Sequence, residues 1–452
     1  LCDRRAASDV YKRQIGAGLA GLSAALQAAE NGCNVKLVSS LPSERAQSVM
    51  AEGGINAALN TKDENDSPEE HFTDTIKAAC GLADPNAVWG MTQAAPELVH
   101  WLLKLGVKFN MSGYDDVDLR NFGGQKKKRT AFAQSDTGKQ IMTAMIDAVR
   151  RKEASGMVER FSHHSFLTLR LCGNICCGCV IRDEYSQETV ELPGDAVIVA
   201  TGGMHGLFGN TTGSLSNTGE VTAELFRLGV PLANGEMIQY HPTTVKCGGK
   251  RMLISEAARG EGGRLFAMKD GKQWYFMEEK YPELGNLMPR DITAREIWKV
   301  SHESEVFLDM TEISDEIISN KLSGLADDCM TYLHKDIRKE PVSVLPGIHY
   351  FMGGILVDEQ HRTPIQNLYA AGECCAQYHG ANRLGGNSLL GALYGGRVAA
   401  KSACEQADVV DLSCATQIDF PPASQISEIK QLNKVMQETI CLLYTSDAAD
   451  DR

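Results

Sequence analysis

The sequence lacks any apolar run that approaches ~18 residues, the length an α-helix needs to cross a bilayer. We therefore expect no direct membrane span, and any membrane attachment would have to come through a partner. The chain also lacks a positive charge balance, since its formal net charge is −13 over 452 residues. That balance argues against nucleic acid as a partner, although a local cluster of basic residues could still bind a small anion.

Two cysteine pairs in a clean CxxC…CxxC arrangement are missing as well. The 14 cysteines are densest in Cys172–Cys179, which is not a clean CxxC…CxxC arrangement. We therefore favour reduced thiols around a strand over a metal site and predict no metal. A long chain with many cysteines and no secretory signal favours the cytoplasm over a disulfide-bonded extracellular protein.

What is present is the composition of a soluble globular protein, with 43% hydrophobic and 23% charged residues. The length predicts two or more domains. The ends show no periodicity, so we expect residues 1–14 and 441–452 to be foreign to the fold or disordered. Apolar residues at helical spacing predict that residues 406–440 begin a further, truncated helical domain.

A glycine motif, Gly16-x-Gly18-x-x-Gly21, predicts a nucleotide-binding turn. The predicted helix and the predicted strand CNVKLVSS follow it in the expected order. The strand that should precede the motif is not apparent, because only Ile15 is apolar there, and we attribute this to an altered N-terminus. Ser39 stands where an acidic ribose ligand would end the second strand.

Two later segments favour FAD over NAD. The stretches DAVIVATGG and NLYAAGECC each predict a buried strand that runs into a glycine turn. Two such strands downstream of the glycine motif are typical of FAD-binding two-dinucleotide folds. In the second of them, Glu373 would accept hydrogen bonds from the ribityl hydroxyls.

The composition changes between these segments, where aromatics, charges and single glycines or prolines alternate. We predict an α/β fold in which a Rossmann-like FAD-binding domain, residues 15–235 and 350–405, is split by an inserted α+β capping domain, residues 236–349. Binding sites often lie at such domain interfaces.

Several segments resemble, in family order, the flavoprotein subunits of succinate dehydrogenases and fumarate reductases, especially the menaquinone-linked bacterial type. They are AEGGINAALN, DSPEEHFTDT, NGEMIQYHPT, SEAARGEGGR, NLMPRDI, HYFMGGI and GANRLGGNSLLGALYGG. The resemblance runs from about residue 15 to residue 402 and is specific through their combination. It implies a C4 dicarboxylate site between the FAD domain and the cap.

The resemblance also implies roles for single residues. Arg290 would donate the proton, and Glu256 and Arg259 would relay protons to it. The residues that would hold the substrate are His241, Ser255, His349 and Arg383. The residues that would bind FAD are Gly16, Gly18, Gly21, Ser39, Ser48, Gly53, Gly54, Thr201, Gly202, Glu373, Asn387, Ser388 and Leu389.

One position departs from the family pattern. In the resembling membrane-bound enzymes a His in an RSHSV or RSHTV setting bonds covalently to the flavin, and Gln47 stands in its place here. An amide nitrogen is not nucleophilic, so we predict non-covalent FAD and better fumarate reduction than succinate oxidation. His71, the next His downstream, lies in a different motif.

Three functions stay open at this stage. The first is flavin-dependent reduction of fumarate to succinate, with the reverse reaction open and electrons exchanged with a separate iron–sulfur subunit, because the chain has no cluster motif. Such a protein would be cytoplasmic and peripheral on the inner face of the membrane, reaching a quinone-reactive membrane subunit through the iron–sulfur subunit. The second is L-aspartate oxidase, and the third is an inactive fragment that only binds flavin.

Three further features are interpreted more plainly. The basic run within residues 123–130 is expected to be a solvated loop rather than a nucleic-acid patch. His163 and His164 are interpreted as structural, and Glu220 is left unassigned.

Overall fold

The computed structural model describes residues 11–113, 116–122 and 124–406. The strands are β1 (Tyr11–Ile15), β2 (Asn34–Ser39), β3 (Ile55–Asn56), β4 (Leu119–Arg120), β5 (Thr130–Ala131), β6 (Val158–Ser162), β7 (His164–Cys172), β8 (Ile175–Asp183), β9 (Thr189–Pro193), β10 (Ala196–Val199), β11 (Leu232–Ala233), β12 (Ile238–Cys247), β13 (Lys250–Leu253), β14 (Arg264–Lys269), β15 (Lys272–Trp274), β16 (Val306–Asp309), β17 (Val342–Ser343), β18 (Leu345–Phe351), β19 (Gly354–Leu356), β20 (Leu368–Ala370) and β21 (Cys375–Ala376).

The α-helices are α1 (Leu19–Glu30), α2 (Pro68–Ala79), α3 (Pro85–Leu105), α4 (Thr137–Ala154), α5 (His205–Phe208), α6 (Glu220–Arg227), α7 (Glu256–Gly260), α8 (Phe276–Lys280), α9 (Arg290–Ser301), α10 (Asp315–Lys321), α11 (Ser323–Asp328) and α12 (Asn387–Gln406). Among the helices of the described chain, none is both long and apolar enough to cross a bilayer. Outside the described residues lie positions 1–10, the tail 441–452 and nearly all of the predicted helical domain at 406–440.

A five-stranded sheet in the order β20-β10-β1-β2-β6 forms the centre of the molecule, and its neighbouring strands are parallel. The predicted helix after the glycine motif and the predicted strand after it are confirmed as α1 and β2, and the two later strands as β10 and β20. Since β10 and β20 lie on one side of β1, their glycine turns meet the first glycine turn at one edge of the sheet.

The prediction that the first strand is missing is wrong. Residues 11–15 form β1, which pairs with β2 and β10. The side chains of Lys12, Arg13 and Gln14 are polar, yet each is at most 2% exposed. Hydrophobic periodicity could not reveal this strand, because polar residues occupy its buried positions and backbone pairing on both sides supports it.

Two helices, α1 and α12, pack against each other over the sheet. Their contact is close enough that a Cβ atom at Gly396 would lie 2.3 Å from the carbonyl oxygen of Ala20. Apolar residues such as Leu22 and Leu393 are fully buried there. The packing fixes the N-termini of both helices, which begin at the same edge of the sheet.

A separate hydrophobic core lies within residues 245–344, joined by Phe122. It covers the antiparallel sheet β15-β14-β16-β17 and the short helices around it. The predicted capping domain includes this core, but its upper boundary at residue 349 falls inside β18, which pairs with β12. The domain boundaries therefore stay a prediction.

The basic run is only partly the solvated loop that was expected. Arg129 is fully buried and forms ion pairs with Asp66 at 2.8 Å and Asp74 at 2.9 Å. Lys127 pairs nearer the surface with Glu70. The expectation is wrong for Arg129, because one acidic residue just before α2 and one within α2 compensate its charge inside the fold.

The cysteine cluster includes three reduced, buried thiols on β8, those of Cys176, Cys177 and Cys179. Burial raises the pKa of Cys179 to about 12, so this thiol stays protonated. In the part of the chain that the structure describes, no group of three His, Cys, Asp or Glu residues is arranged to hold a metal ion.

Candidate active site

A cavity of about 310 Å³ opens at the edge of the central sheet where β1, β10 and β20 end. It extends from the glycine turn after β1 to a group of arginines and histidines from the segments 238–256, 290 and 349–383. One end is therefore lined mainly by backbone and small residues, and the other by ionisable side chains.

The glycine turn follows β1 directly. Gly16 has φ +105°, and a Cβ atom there would lie 2.1 Å from the carbonyl oxygen of Ala200. Gly18 precedes the first residue of α1, whose backbone N–H is capped by Ser48 Oγ at 3.2 Å. The N-terminus of α1 thus faces the cavity with its partial positive charge, as phosphate binding requires.

The segment in which the resemblance implies a flavin-linking His forms a 3₁₀ turn, Gln47–Met50. Gln47 is half-buried and lines the cavity, as do Ser48 and Gly54. Gly54 has φ +131°, and a Cβ atom there would lie 2.5 Å from the carbonyl oxygen of Ala131. The backbone of this loop can therefore approach the cavity closely only with glycine.

Glu373 lies in the turn after β20. One carboxylate oxygen, Oε1, accepts a hydrogen bond from the backbone N–H of Phe351 at 3.0 Å and lies 3.1 Å from His205 Nε2. These contacts orient the carboxylate, so that it lines the cavity near Gly203.

At the other end, His241 on β12 and His349 on β18 stand edge to face, with ring centroids 5.1 Å apart. His349 Nδ1 lies 2.9 Å from Thr212 Oγ1. Burial lowers the pKa of both rings well below the usual value, and the charge of Arg290 lowers both further. Both are therefore neutral hydrogen-bonding groups at physiological pH.

Arg383 is only 3% exposed, and in the described chain it forms no ion pair with a carboxylate. Its guanidinium carbon lies 4.3 Å from the centroid of the Tyr350 ring, a cation–π contact. Burial lowers the pKa of Arg383 to about 9, and the charge of Arg290 contributes. A buried cation of this kind is stabilised by an anionic ligand.

Arg290, at the start of α9, is held by a fully buried network. Its Nε and Nη2 donate to Glu256 Oε2 at 2.9 and 2.7 Å, and its Nη1 donates to Gln239 Oε1 at 3.1 Å. Arg259 Nη2 lies 3.4 Å from the other oxygen of Glu256. Glu256 therefore bridges the two arginines.

The charge state of this network follows from its geometry. Burial alone would raise the pKa of Glu256, but the charges of Arg290 and Arg259 outweigh it and lower the pKa to about 2. The network is thus two cations around one carboxylate. Arg383 adds a third cation at the same end of the cavity.

Most of the residues predicted for the site line this one cavity, although they come from distant segments. Three do not line it. Gly21 lies behind the turn, where a Cβ atom would be 1.9 Å from the carbonyl oxygen of Gly16. Asn387 is fully buried beneath α12, and Arg259 is buried behind Glu256. Gly21 and Asn387 thus lie behind the cavity wall, and direct cofactor contact stays a prediction for both.

Other lining residues were missed or interpreted differently. A purely structural interpretation of His164 is incomplete, because it lines the cavity together with Ser165 and Phe166 at the start of β7. Glu220, which was left unassigned, lines it at the start of α6, and Tyr350 lies beside Arg383. No sequence motif marks β7, which belongs to the separate sheet β7-β8-β9 and reaches the cavity only through tertiary packing.

Comparison with known proteins agrees with this geometry. A family model described as an FAD binding domain matches residues 15–389. The chain is 44% identical over 408 residues to the succinate dehydrogenase flavoprotein subunit of Bacillus subtilis, covering 88% of this chain and 70% of that protein. It is also 34% identical to an L-aspartate oxidase of Streptomyces coelicolor, over 91% of this chain and 71% of that one.

Among solved structures, a quinol fumarate reductase from E. coli superimposes with a TM-score of 0.82 at 29% identity, over 95% of this chain and 74% of that one. The fold and the cavity thus define an FAD-dependent oxidoreductase. The chain belongs to the family of succinate dehydrogenase and fumarate reductase flavoprotein subunits.

Proposed function

We propose that the chain reduces fumarate to succinate, with FAD as its redox cofactor. The observation that supports this most directly is the meeting of Arg290, Glu256 and Arg383 with two neutral histidines at one end of the FAD cavity. With Arg259 behind Glu256, three buried cations accompany one carboxylate, which suits a ligand with two negative charges. A C4 dicarboxylate supplies them.

The residues present fit FAD. The N-termini of α1 and α12 face the cavity, which suits phosphates and ring carbonyl oxygens. Glu373 and Ser39 offer acceptors to hydroxyl groups, and Phe166 offers an apolar face. When bound and reduced, FAD supplies a hydride to one alkene carbon of the substrate.

The protein's own residues would handle charge and protons. Arg383, His241 and His349 would hold the carboxylates. As negative charge grows on the second alkene carbon and its carboxylate, these preorganised donors stabilise the transition state more than the ground state. Removing one such donor typically costs about 10²–10³ in rate.

Arg290 is the proposed proton donor. Three of its N–H groups bond to Glu256 and Gln239, which leaves the others to face the substrate. A free guanidinium is a poor acid, but a second cation nearby and exclusion of water favour its deprotonation. Arg259 would supply that cation, and Glu256 lies between the two and would pass a proton back to Arg290.

Fumarate then gains one hydride and one proton and leaves as succinate, with the charge balance kept. The electrons would come from a separate iron–sulfur subunit that connects to a quinone-reactive membrane subunit. The Bacillus subtilis relative supports this, because it is itself described as one subunit, the flavoprotein. Attachment to the inner face of the membrane through such partners stays part of the proposal.

Gln47 supports a further part of the proposal, namely that FAD is held without a covalent bond. It lines the cavity in the turn where related enzymes have the flavin-linking His. Loss of an electron-withdrawing bond to the ring should lower the flavin potential. That change favours reducing fumarate over oxidising succinate.

L-aspartate oxidase is the second candidate, favoured by the Streptomyces coelicolor relative. An anaerobic assay with reduced viologen as donor separates the two, with fumarate and iminoaspartate as competing substrates. We expect the higher kcat/KM for fumarate. A preference for iminoaspartate would favour the oxidase, and no turnover with bound flavin would favour an inactive flavin-binding chain.

A further inference from the structure

A closed set of polar side chains lies beneath the N-terminus of α12, outside the cavity. Asn387, the first residue of α12, is fully buried, and its Oδ1 accepts from Asn56 Nδ2 at 2.7 Å. The same oxygen lies 2.9 Å from His71 Nε2. Asn387 Nδ2 donates to Thr75 Oγ1 at 3.0 Å. The amide therefore ties α12 to α2 and β3.

Backbone carbonyls determine the direction of these bonds. Asn56 Nδ2 also donates to the carbonyl oxygen of Gly385 at 2.8 Å, and Thr75 Oγ1 donates to that of His71 at 2.8 Å. Because a carbonyl oxygen can only accept, both ends of the network are oriented. Asn387 Oδ1 is then an acceptor, so His71 must carry its proton on Nε2.

The His71 ring is neutral as well as oriented. Burial, and after it the charge of Arg129, lowers the pKa of His71 to about 3. Its Nδ1 has no hydrogen-bond partner within the described residues, which agrees with a single tautomer. The network thus has one arrangement of protons across the working pH range.

The first turn of α12 connects this network to the cavity wall. Ser388 and Leu389, which follow Asn387, line the cavity. The backbone N–H groups of a first helical turn have no acceptor inside the helix and give that end a partial positive charge. Gly386, just before the helix, has φ +85°, and a Cβ atom there would lie 2.2 Å from Asn56 Oδ1. A shift in the network would therefore also move this loop and the first turn of α12.

We propose that His71 is a positioning residue for the flavin: through Asn387 it holds the first turn of α12 against the flavin ring system. The inference rests on the FAD site described above and adds a residue that touches neither cofactor nor substrate. Reduced flavin carries more negative charge than oxidised flavin, so a fixed positive helix end stabilises the reduced form. Loss of the His71 bond should weaken FAD binding and lower the flavin potential.

The test compares His71→Leu with His71→Gln in the 452-residue chain. Leucine removes the donor, whereas the glutamine amide can still donate to Asn387 Oδ1. For His71→Leu we expect the Kd for FAD, measured by flavin fluorescence, to rise roughly tenfold. The midpoint potential from dye-linked reductive titration should fall, and His71→Gln should restore both values to near wild type.

His361→Leu is the matched control. His361 is also fully buried and packs against α12, but at Gly395, and its Nδ1 lies 2.6 Å from the carbonyl oxygen of Ala370. This variant should lose thermal stability without a change in flavin potential. An equal fall in potential would show a general loosening of α12 and overturn the role of His71.

Two further outcomes would also overturn it: wild-type Kd and potential in His71→Leu, or equal damage in His71→Gln and His71→Leu. If His71→Leu does not fold, Thr75→Val removes the acceptor for Asn387 Nδ2 and should change both values in the same direction. No change in that variant would overturn the proposal. A wild-type chain without FAD binding would instead reject the site assignment itself.

Discussion

The two ends of the cavity are formed by different kinds of groups, closely packed backbone at one end and charged side chains at the other. The nucleotide end depends on the absence of side chains, since Gly16 and Gly54 both lie where a Cβ atom would meet backbone within 2.5 Å. The substrate end depends on charged side chains, and Arg290 is held by two residues 34 and 51 positions away in sequence, Glu256 and Gln239. Close approach of backbone segments decides the first arrangement, and hydrogen-bonded charged side chains decide the second.

The difference extends to energetics. At the nucleotide end, a side chain at Gly16 or Gly54 would push neighbouring backbone segments apart. At the substrate end, buried cations outnumber the carboxylate that compensates them, so the free protein holds Arg290, Arg259 and Arg383 at an electrostatic cost. A bound dicarboxylate would relieve that cost. The unbalanced charge at this end therefore costs stability in the free protein, as the proposed dicarboxylate ligand would lead one to expect.

The largest effect should come from Arg290→Lys. Lysine keeps the charge but loses the planar fork that bonds to Glu256, so the proton would be misplaced. We expect fumarate reduction to fall by ~10²–10⁴-fold, while dicarboxylate binding, measured by its perturbation of the flavin spectrum, largely survives. Arg264→Lys, at a half-exposed pair with Glu278, is the control. Near-normal turnover in Arg290→Lys would assign the acid to another residue.

Gly16→Ala tests the other end. The new Cβ atom would lie 2.1 Å from the carbonyl oxygen of Ala200 at a φ of +105°, so the turn must move. We expect a destabilisation of about 3 kcal/mol and loss of FAD binding, measured by denaturant unfolding and flavin absorbance. Gly235→Ala, where a Cβ atom meets nothing within 4 Å, should behave like wild type. Retained FAD in Gly16→Ala would contradict the close approach.

A pH titration of stability tests whether Glu256 is ionised within the arginine network at the substrate end. The pKa of Glu256 is lowered from 4.5 to about 2 in the folded protein, so its contribution to stability is present above pH 4.5 and is lost as the pH falls towards 2. Between pH 5 and pH 3.5 we expect wild type to lose about 1 kcal/mol more unfolding free energy than Glu256→Gln. Equal losses in urea unfolding would show that this carboxylate does not titrate as the network requires.

The smallest structural change concerns Gln47. Acid precipitation of the holoprotein should leave flavin fluorescence in the supernatant, because an amide cannot form the covalent bond. Gln47→His tests the same position in reverse and should retain some flavin in the pellet. Flavin in the wild-type pellet would refute non-covalent binding, and succinate oxidation that outpaces fumarate reduction would refute the proposed direction.

The parts of the fold that were predictable share one property, namely that neighbouring residues carry the information. The turn at Gly16, helix α1 and the strands before Gly202 and Glu373 each follow from a short stretch with local periodicity or glycine placement. Strand β1 was missed for the same reason, since Lys12 and Gln14 are polar and only pairing with β2 and β10 makes them a strand.

By itself the sequence determined that a nucleotide-binding turn, two further glycine turns and a set of basic motifs exist in a definite order. Only the tertiary structure decided which of these side chains share a cavity. It placed Arg290 against Glu256, paired Asn387 with His71 behind the cavity wall, and brought His164 to the cavity wall. The physical reason is that burial, ion pairing and the direction of a buried hydrogen bond depend on segments that lie from 34 to 316 residues apart, and no local pattern encodes them.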